Sequence, residues 1–329
     1  MSDLRLGVIG LGMMGRHHVR LARSTDGVQL VGVHDPLGDP HGVASDVPNH
    51  SSLESLIAAG IDAAIIATPT DDHLAVGSAL APAGVHILIE KPLATDVAEG
   101  RQLLAAIEKA GIVAAVGHVE RFNPAIRALK RRLLDFELGE LYQISTSRQG
   151  PFPDRIRDVG VIKDLGTHDI DLTMWVSGRS YRSVSARVAH RAGRPHEDLV
   201  VAVGLLDDGL VTSHQVNWLT PTKERRITVT GTKGRFVADT VTSDLLYFAN
   251  ASVATEWDAI SSFRGVAEGD MIRYAIAKPE PLALEHAGFR DAIVGGNGDI
   301  VTAQEGLEVL RVADAVARSA ADGTVEDLT

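Results

Sequence analysis

Gly10, Gly12 and Gly15 stand in G-x-G-x-x-G spacing within the segment GLGMMG. Between a strand and a helix, such a loop lets a pyrophosphate lie against the backbone. The first glycine makes the tight turn, the second admits the phosphate, and the third lets the helix pack closely on the strand. The helix end behind the loop offers free N–H groups to the anion. Asp35 follows 20 residues after Gly15, where a carboxylate accepts hydrogen bonds from the adenosine ribose and repels a 2′-phosphate. Pro36 and Leu37 supply no guanidinium for such a phosphate. The loop is therefore expected to take NAD in preference to NADP.

Two further groups could handle a proton and a developing negative charge. Lys91, in Glu90-Lys91-Pro92, is one of only 7 lysines among 32 basic residues, and it follows an apolar run. That places it at a strand end, on the sheet edge where ligands bind in doubly wound folds. Asp164, His168 and Asp171 recur at intervals of four and three residues, which puts them on one face of a helix. An imidazole beside a carboxylate is a candidate general base whose orientation the carboxylate sets. The 13 histidines form no H-E-x-x-H pair or comparable spacing, so no metal site is expected.

The elements that must position these groups follow from the hydrophobic pattern. Short apolar runs at 4–9, 28–34, 63–67, 85–89 and 112–116 alternate with helical stretches at 16–24, 49–59, 71–81 and 95–110. Strands this continuously apolar are covered on both faces, as in a parallel sheet. Beyond a helix at 124–135 the period changes to two. Residues 141–148, 182–191, 199–207, 210–217, 225–230 and 236–248 are expected as antiparallel strands, interrupted by a helix at 164–176. The tail is helical again at 284–294 and 303–321. The expected fold is α/β: an N-terminal dinucleotide-binding Rossmann domain, 1–122, then an α/β domain with a large, mostly antiparallel open sheet, 123–329. The C-terminal helices are expected to pack back on one of the two. Alternating positions such as Val184, Val201, Val203 and Val216 are candidates for an interface between copies or for contact with the domain's own helices.

Composition limits the partners. Of 329 residues, 43 are Asp or Glu against 32 Lys or Arg, a formal charge of −11, which argues against nucleic acid and anionic membranes. The absence of Cys excludes thiolate catalysis, zinc–thiolate sites and iron–sulfur clusters. MSDLRLGVIG has no basic start followed by a long apolar run, so a cytoplasmic protein is expected.

GLGMMG, the ATPT segment at 67–70 with His73 following, EKP at 90–92 and D-x-G-x-H-x-x-D at 164–171 together resemble the Gfo/Idh/MocA oxidoreductases. The resemblance implies NAD(P)-dependent interconversion of a secondary alcohol and a ketone on a sugar or cyclitol. It implies a catalytic set of Lys91, Asp164 and His168. Lys91 contacts the reacting hydroxyl, His168 transfers the proton and Asp164 supports both. It groups Met13, Met14, Thr68, Pro69, His73, Glu90 and Lys91 with Gly10, Gly12, Gly15 and Asp35 at the cofactor. Family members also commonly assemble as homodimers or homotetramers.

GHVERFNPAI at 117–126 and the stretch 148–171 resemble the branch of that family containing UDP-N-acetylglucosamine 3-dehydrogenases. Arg148, Arg155 and Arg157 would suit a substrate pyrophosphate, although Asp154 and Asp158 flank them. Arg121 and Asn123 match the branch motif and are assigned to the lining of the cofactor or substrate cleft, among the substrate-binding residues. Three readings stay open: a UDP-sugar 3-dehydrogenase, a dehydrogenase of a free cyclitol or monosaccharide such as myo-inositol, and a non-catalytic dinucleotide-binding regulator.

Overall fold

The computed structural model describes residues 3–39, 41–153, 159–250 and 269–329. They fall into two units, Met1–Val119 with Pro279–Asp314 and Glu120–Lys278 with Ala315–Thr329.

In the first unit, β1 (Leu4–Ile9), β2 (Val28–His34), β3 (Asn49–His50), β4 (Ala63–Ile66), β5 (His86–Glu90) and β6 (Ala114–Gly117) form one sheet. Its order is β3-β2-β1-β4-β5-β6 and every pairing is parallel. The chain reverses direction of progress between β1 and β4, the switch point where doubly wound sheets bind ligands at their carboxyl ends. Side chains alternate between two apolar cores. Leu6, Val8, Ile65 and Leu88 lie in one, whereas Ile9, Ile66, Ile87 and Ile89 lie in the other. Helix α1 (Met13–Ala22) covers the first face with Val19 and Ala22. Helices α2 (Leu53–Ala58), α3 (His73–Leu80) and α4 (Val97–Ala110) cover the second with Leu56, Leu80, Leu103 and Ile107.

Two local boundaries differ from the sequence expectation. Ser52 caps α2 by accepting from the Ser55 N–H, so that helix starts after it and Asn49–His50 pairs with β2. Helix α1 begins at Met13, directly on the glycine loop.

The second unit opens with α5 (Pro124–Leu134), then β7 (Leu141–Pro151), a π-turn at Ile162–Gly166 and α6 (Thr167–Ser177). There follow β8 (Tyr181–Ala189), β9 (Leu199–Leu206), β10 (Val211–Asn217), β11 (Leu219–Gly231), β12 (Gly234–Asp239), β13 (Asp244–Ala249) and β14 (Met271–Arg273). With the short terminal strand β15 (Glu326–Asp327) they make a 9-stranded sheet, β14-β13-β12-β11-β7-β10-β9-β8-β15. Its pairings are antiparallel except β7 with β10, so the sheet is mixed and mostly antiparallel. The run expected as one strand at 236–248 is a hairpin, because the Asp239 carboxylate accepts from the N–H groups of Val241 and Thr242 and turns the chain. Val184 and Val216 are buried, whereas Val201 and Val203 are 45% and 51% exposed on the other face.

The tail helices α7 (Pro281–Val294) and α8 (Ala303–Asp322) change the expected domain boundary. Phe289 of α7 enters one core of the parallel sheet, and Val301, Ala303 and Leu307 enter the other. An antiparallel bridge joins Ala115 to Thr302. Residues 279–314 therefore go with the first unit rather than with 123–278. Among the described residues, no helix is long and apolar enough to cross a membrane.

Candidate active site

The glycine loop has the build of a phosphate cradle. Gly10 adopts φ +87°, and a Cβ there would lie 2.6 Å from the Ala67 carbonyl oxygen. A Cβ on Gly15 would lie 1.8 Å from the Gly10 carbonyl oxygen. Protein atoms thus demand glycine at both positions. Around Gly12 a Cβ would meet nothing within 4 Å, so the approach to the backbone stays open there. Gly12 caps α1 with no side-chain hydrogen bond, and no carboxylate occupies the first turn. The N–H groups of Met13, Met14 and Gly15 lie in that turn, where an α-helix provides no acceptors of its own.

Asp35 follows β2 and reaches back to this loop, its Oδ2 accepting from the Leu11 N–H at 2.8 Å. Its Oδ1 accepts from Leu37 at 2.8 Å. A carboxylate has about four acceptor positions, so two backbone bonds leave capacity for a diol. Across the switch point, the buried Thr68 hydroxyl has no hydrogen-bond partner among the described residues. Pro69 beside it is exposed. These features together fit a dinucleotide.

His73, grouped with the cofactor from sequence, lies between two backbone carbonyls. Its ring is buried, Nδ1 lies 3.0 Å from the Pro92 carbonyl oxygen and Nε2 lies 3.2 Å from that of Thr68. Burial holds the imidazole below its ordinary pKa, despite those two carbonyls. The neutral ring donates to one carbonyl at a time and ties the loop after β4 to the loop after β5.

Glu90 is the last residue of β5, and Lys91 follows through a cis peptide bond to Pro92. Lys91 is half-buried, while Pro92, Leu93 and Ala94 behind it are buried.

In the second unit, the helix predicted at 164–176 begins with the π-turn and continues without interruption into α6, and the π-turn widens the spacing around Asp164. Asp164 is buried within that turn, and His168 is half-buried at the second position of α6. Asp171 has another occupation. Arg121 donates from Nε and Nη2 to its carboxylate at 2.9 and 2.6 Å, with both side chains buried.

Arg148, Arg121 and Asn123, assigned to the substrate from sequence, each have partners within the second unit. Arg148 is 3% exposed and donates to Asp169 at 2.7 Å and Glu120 at 2.8 Å. Burial alone would lower the guanidinium's pKa, but Asp169 and Glu120 more than offset it and raise it. Two carboxylates therefore consume the charge assigned to a pyrophosphate. Arg121 is spent on Asp171. Asn123 caps α5, accepting from the Ala125 N–H and donating to the Thr240 carbonyl. Arg155 and Arg157 lie outside the described residues.

Sequence reasoning missed His18 and His286. His18 is fully buried on α1, its Nε2 2.8 Å from Glu90 Oε1 and its Nδ1 2.9 Å from His286 Nε2 on α7. The pair H-H after the glycine loop was visible, but its partners are 72 and 268 residues away.

Residues 4–118 match the profile described as oxidoreductase family, NAD-binding Rossmann fold, GFO_IDH_MocA. Residues 126–237 match the GFO/IDH/MocA C-terminal domain. The chain is 30% identical to UDP-N-acetylglucosamine 3-dehydrogenase of Acidithiobacillus ferrooxidans, over 95% of this chain and 96% of the relative. A solved structure of that enzyme superposes with a TM-score of 0.87 at 28% identity, covering 97% of this chain and 98% of the other. Inositol 2-dehydrogenase of Rhizobium meliloti is 26% identical over 97% of each chain. The WlbA dehydrogenase of Bordetella pertussis, solved with NADH and UDP-GlcNAcA, is 26% identical with a TM-score of 0.80, covering 100% of this chain and 99% of the other.

Proposed function

As the chain belongs to the GFO/IDH/MocA oxidoreductase family and carries its NAD-binding Rossmann domain, we propose that it interconverts the 3-hydroxyl and 3-ketone of UDP-N-acetylglucosamine or a related UDP-sugar. The observation that carries this reading is the 30% identity to a UDP-N-acetylglucosamine 3-dehydrogenase along 95% of the chain.

Bound NAD supplies the hydride acceptor for the carbinol carbon. The protein holds the cofactor, orients the sugar and manages one proton. Backbone N–H groups from Gly12 to Gly15 would hold the pyrophosphate, and Asp35 would accept from the adenosine ribose. His168, as the neutral imidazole, takes the hydroxyl proton. Lys91, as the ammonium, donates to the same oxygen and stabilises the charge developing there. Asp164 supports His168 from the π-turn.

A second reading has its own support. With Arg148 neutralised by Asp169 and Glu120, one of the three guanidinium groups suited to a nucleotide pyrophosphate is withdrawn. A free cyclitol needs none of them, and an inositol 2-dehydrogenase is similar over the full chain. Purified protein with NAD, a panel of UDP-sugars and cyclitols, and NADH absorbance decides between them. Turnover on UDP-N-acetylglucosamine alone supports the first reading, and turnover on myo-inositol alone replaces it with the second. NAD binding without turnover on the panel would point to a regulator.

We further propose that copies of the chain pair through the outer face of the second unit's sheet, as a homodimer or homotetramer. Val201, Val203 and Val211 are exposed on neighbouring strands β9 and β10 there. Apolar side chains side by side in water favour a partner surface. Light scattering of the wild type and of Val203→Glu measures this, and a monomeric wild type rejects it.

A further inference from the structure

Glu90, His18 and His286 form a buried chain of polar groups in the first unit. It joins the end of β5 to α1 and to the tail helix α7. The two imidazole rings stack with centroids 5.2 Å apart and planes 17° from parallel. His18 has both ring nitrogens engaged, at 2.8 Å from Glu90 and 2.9 Å from His286. The second oxygen of Glu90 accepts the backbone N–H of Lys91 at 3.3 Å.

The protonation states follow from the surroundings. Burial by itself would raise the Glu90 carboxyl. The hydrogen bond from His18 and the charges of His18 and Lys91 outweigh that and hold it below its ordinary value. Burial, with the charges of His18 and Arg20, pushes His286 down to about 3. Glu90 is thus a carboxylate that only accepts, so His18 must carry its proton on Nε2. The titratable groups that face Glu90 are His18, Lys91 and His73. Those that face His286 are His18 and Arg20.

We propose that His18 is a positioning residue for Lys91. By donating to Glu90, it keeps a fixed negative charge beside the Lys91 ammonium and holds the carboxylate that accepts the Lys91 N–H. His286 fills the other side of the imidazole and fixes its orientation, as outer partners do for ligating or catalytic histidines. Removing His18 leaves a buried carboxylate without its donor. Such a group takes up a proton more readily and loses both its charge and its grip on Lys91. This rests on the reading of Lys91 as the group that stabilises the reacting oxygen.

The test compares wild type, His18→Leu, His18→Gln, Glu90→Gln and Lys91→Met, on the substrate that gives turnover. For His18→Leu, kcat is expected to fall about tenfold with KM for NAD and sugar within about twofold, since Lys91 remains but is misplaced. The loss should deepen as pH falls, because the unsupported Glu90 protonates. His18→Gln, which retains an N–H toward Glu90, should recover most of the loss. Glu90→Gln should reproduce it without the added pH dependence. A second readout needs no turnover: acetylation of Lys91 by acetic anhydride, followed by mass spectrometry, should be several-fold faster in His18→Leu and Glu90→Gln than in wild type. Unchanged kcat and acetylation in His18→Leu would overturn the proposal. So would a loss that appears only as weaker NAD binding and a lower Tm, with no recovery in His18→Gln. If Lys91→Met keeps full turnover, the reading of Lys91 fails instead. The acetylation rates then decide the positioning by themselves.

Discussion

Leu11 donates its backbone N–H to Asp35 Oδ2 at 2.8 Å, so the carboxylate that ends the second strand also holds the glycine loop after the first. Asp35→Ala should therefore do two things at once. It removes an acceptor for the ribose hydroxyls and leaves the Leu11 N–H without its bond. NAD affinity should drop by about tenfold or more, in keeping with about 1.5–3 kcal/mol for a hydrogen bond to a charged group. Discrimination against NADP should relax, because the charge that repels a 2′-phosphate is gone. Titration of both cofactors by fluorescence measures this, and a wild type that binds the two equally would reject the role given to Asp35.

Lys91→Met and His168→Ala test the proposed proton and charge handling. Each should lower turnover on the order of 100-fold or more while NAD binding survives, the range usual for a lost general base or electrostatic donor. His168→Ala with near-full turnover would remove the base assignment. A loss of NAD binding in Lys91→Met would make that residue a cofactor anchor rather than a participant.

Arg148 separates stability from substrate binding. As the buried partner of both Asp169 and Glu120, its replacement by Ala leaves two carboxylates without their cation. Breaking such a cluster from one side typically costs about 3–5 kcal/mol. Urea unfolding should show that loss. A raised KM for a UDP-sugar with unchanged stability would return Arg148 to the substrate.

Most of the first unit was legible because its signals are local. The apolar runs and the glycine spacing each span only a few residues, the strand-ending Asp35 follows Gly15 by 20, and the parallel order follows from alternation with helices. The second unit was legible as strands, but its pairing was not. The parallel contact of β7 with β10 depends on chain reversals far apart in sequence. The ion pairs of Arg148 were hidden for the same reason. Arg148 looks like a free cation among 148–157, and its partners Glu120 and Asp169 are 28 and 21 residues away. The π-turn at 162–166 was also invisible, since helical spacing alone put Asp164, His168 and Asp171 on one face.

His286 predicts how stability should respond to acid. Its pKa is pushed from 6.5 down to about 3 by burial and by the charges of His18 and Arg20. Between these values the unfolded chain binds a proton at this residue and the folded chain does not. Stability from this group is therefore complete above the ordinary histidine pKa and is lost as pH falls. From about pH 7 to about pH 5 the loss amounts to about 2 kcal/mol. His73, His86 and His214, all also held below their ordinary values by burial, tilt the curve the same way. His286→Gln keeps a polar partner for His18 and removes the titration, so the wild-type and variant curves should converge as the pH is lowered. Urea unfolding at several pH values provides the curves. A constant gap between them across that range would mean that the buried His286 ring takes up a proton as readily in the folded chain as in the unfolded one.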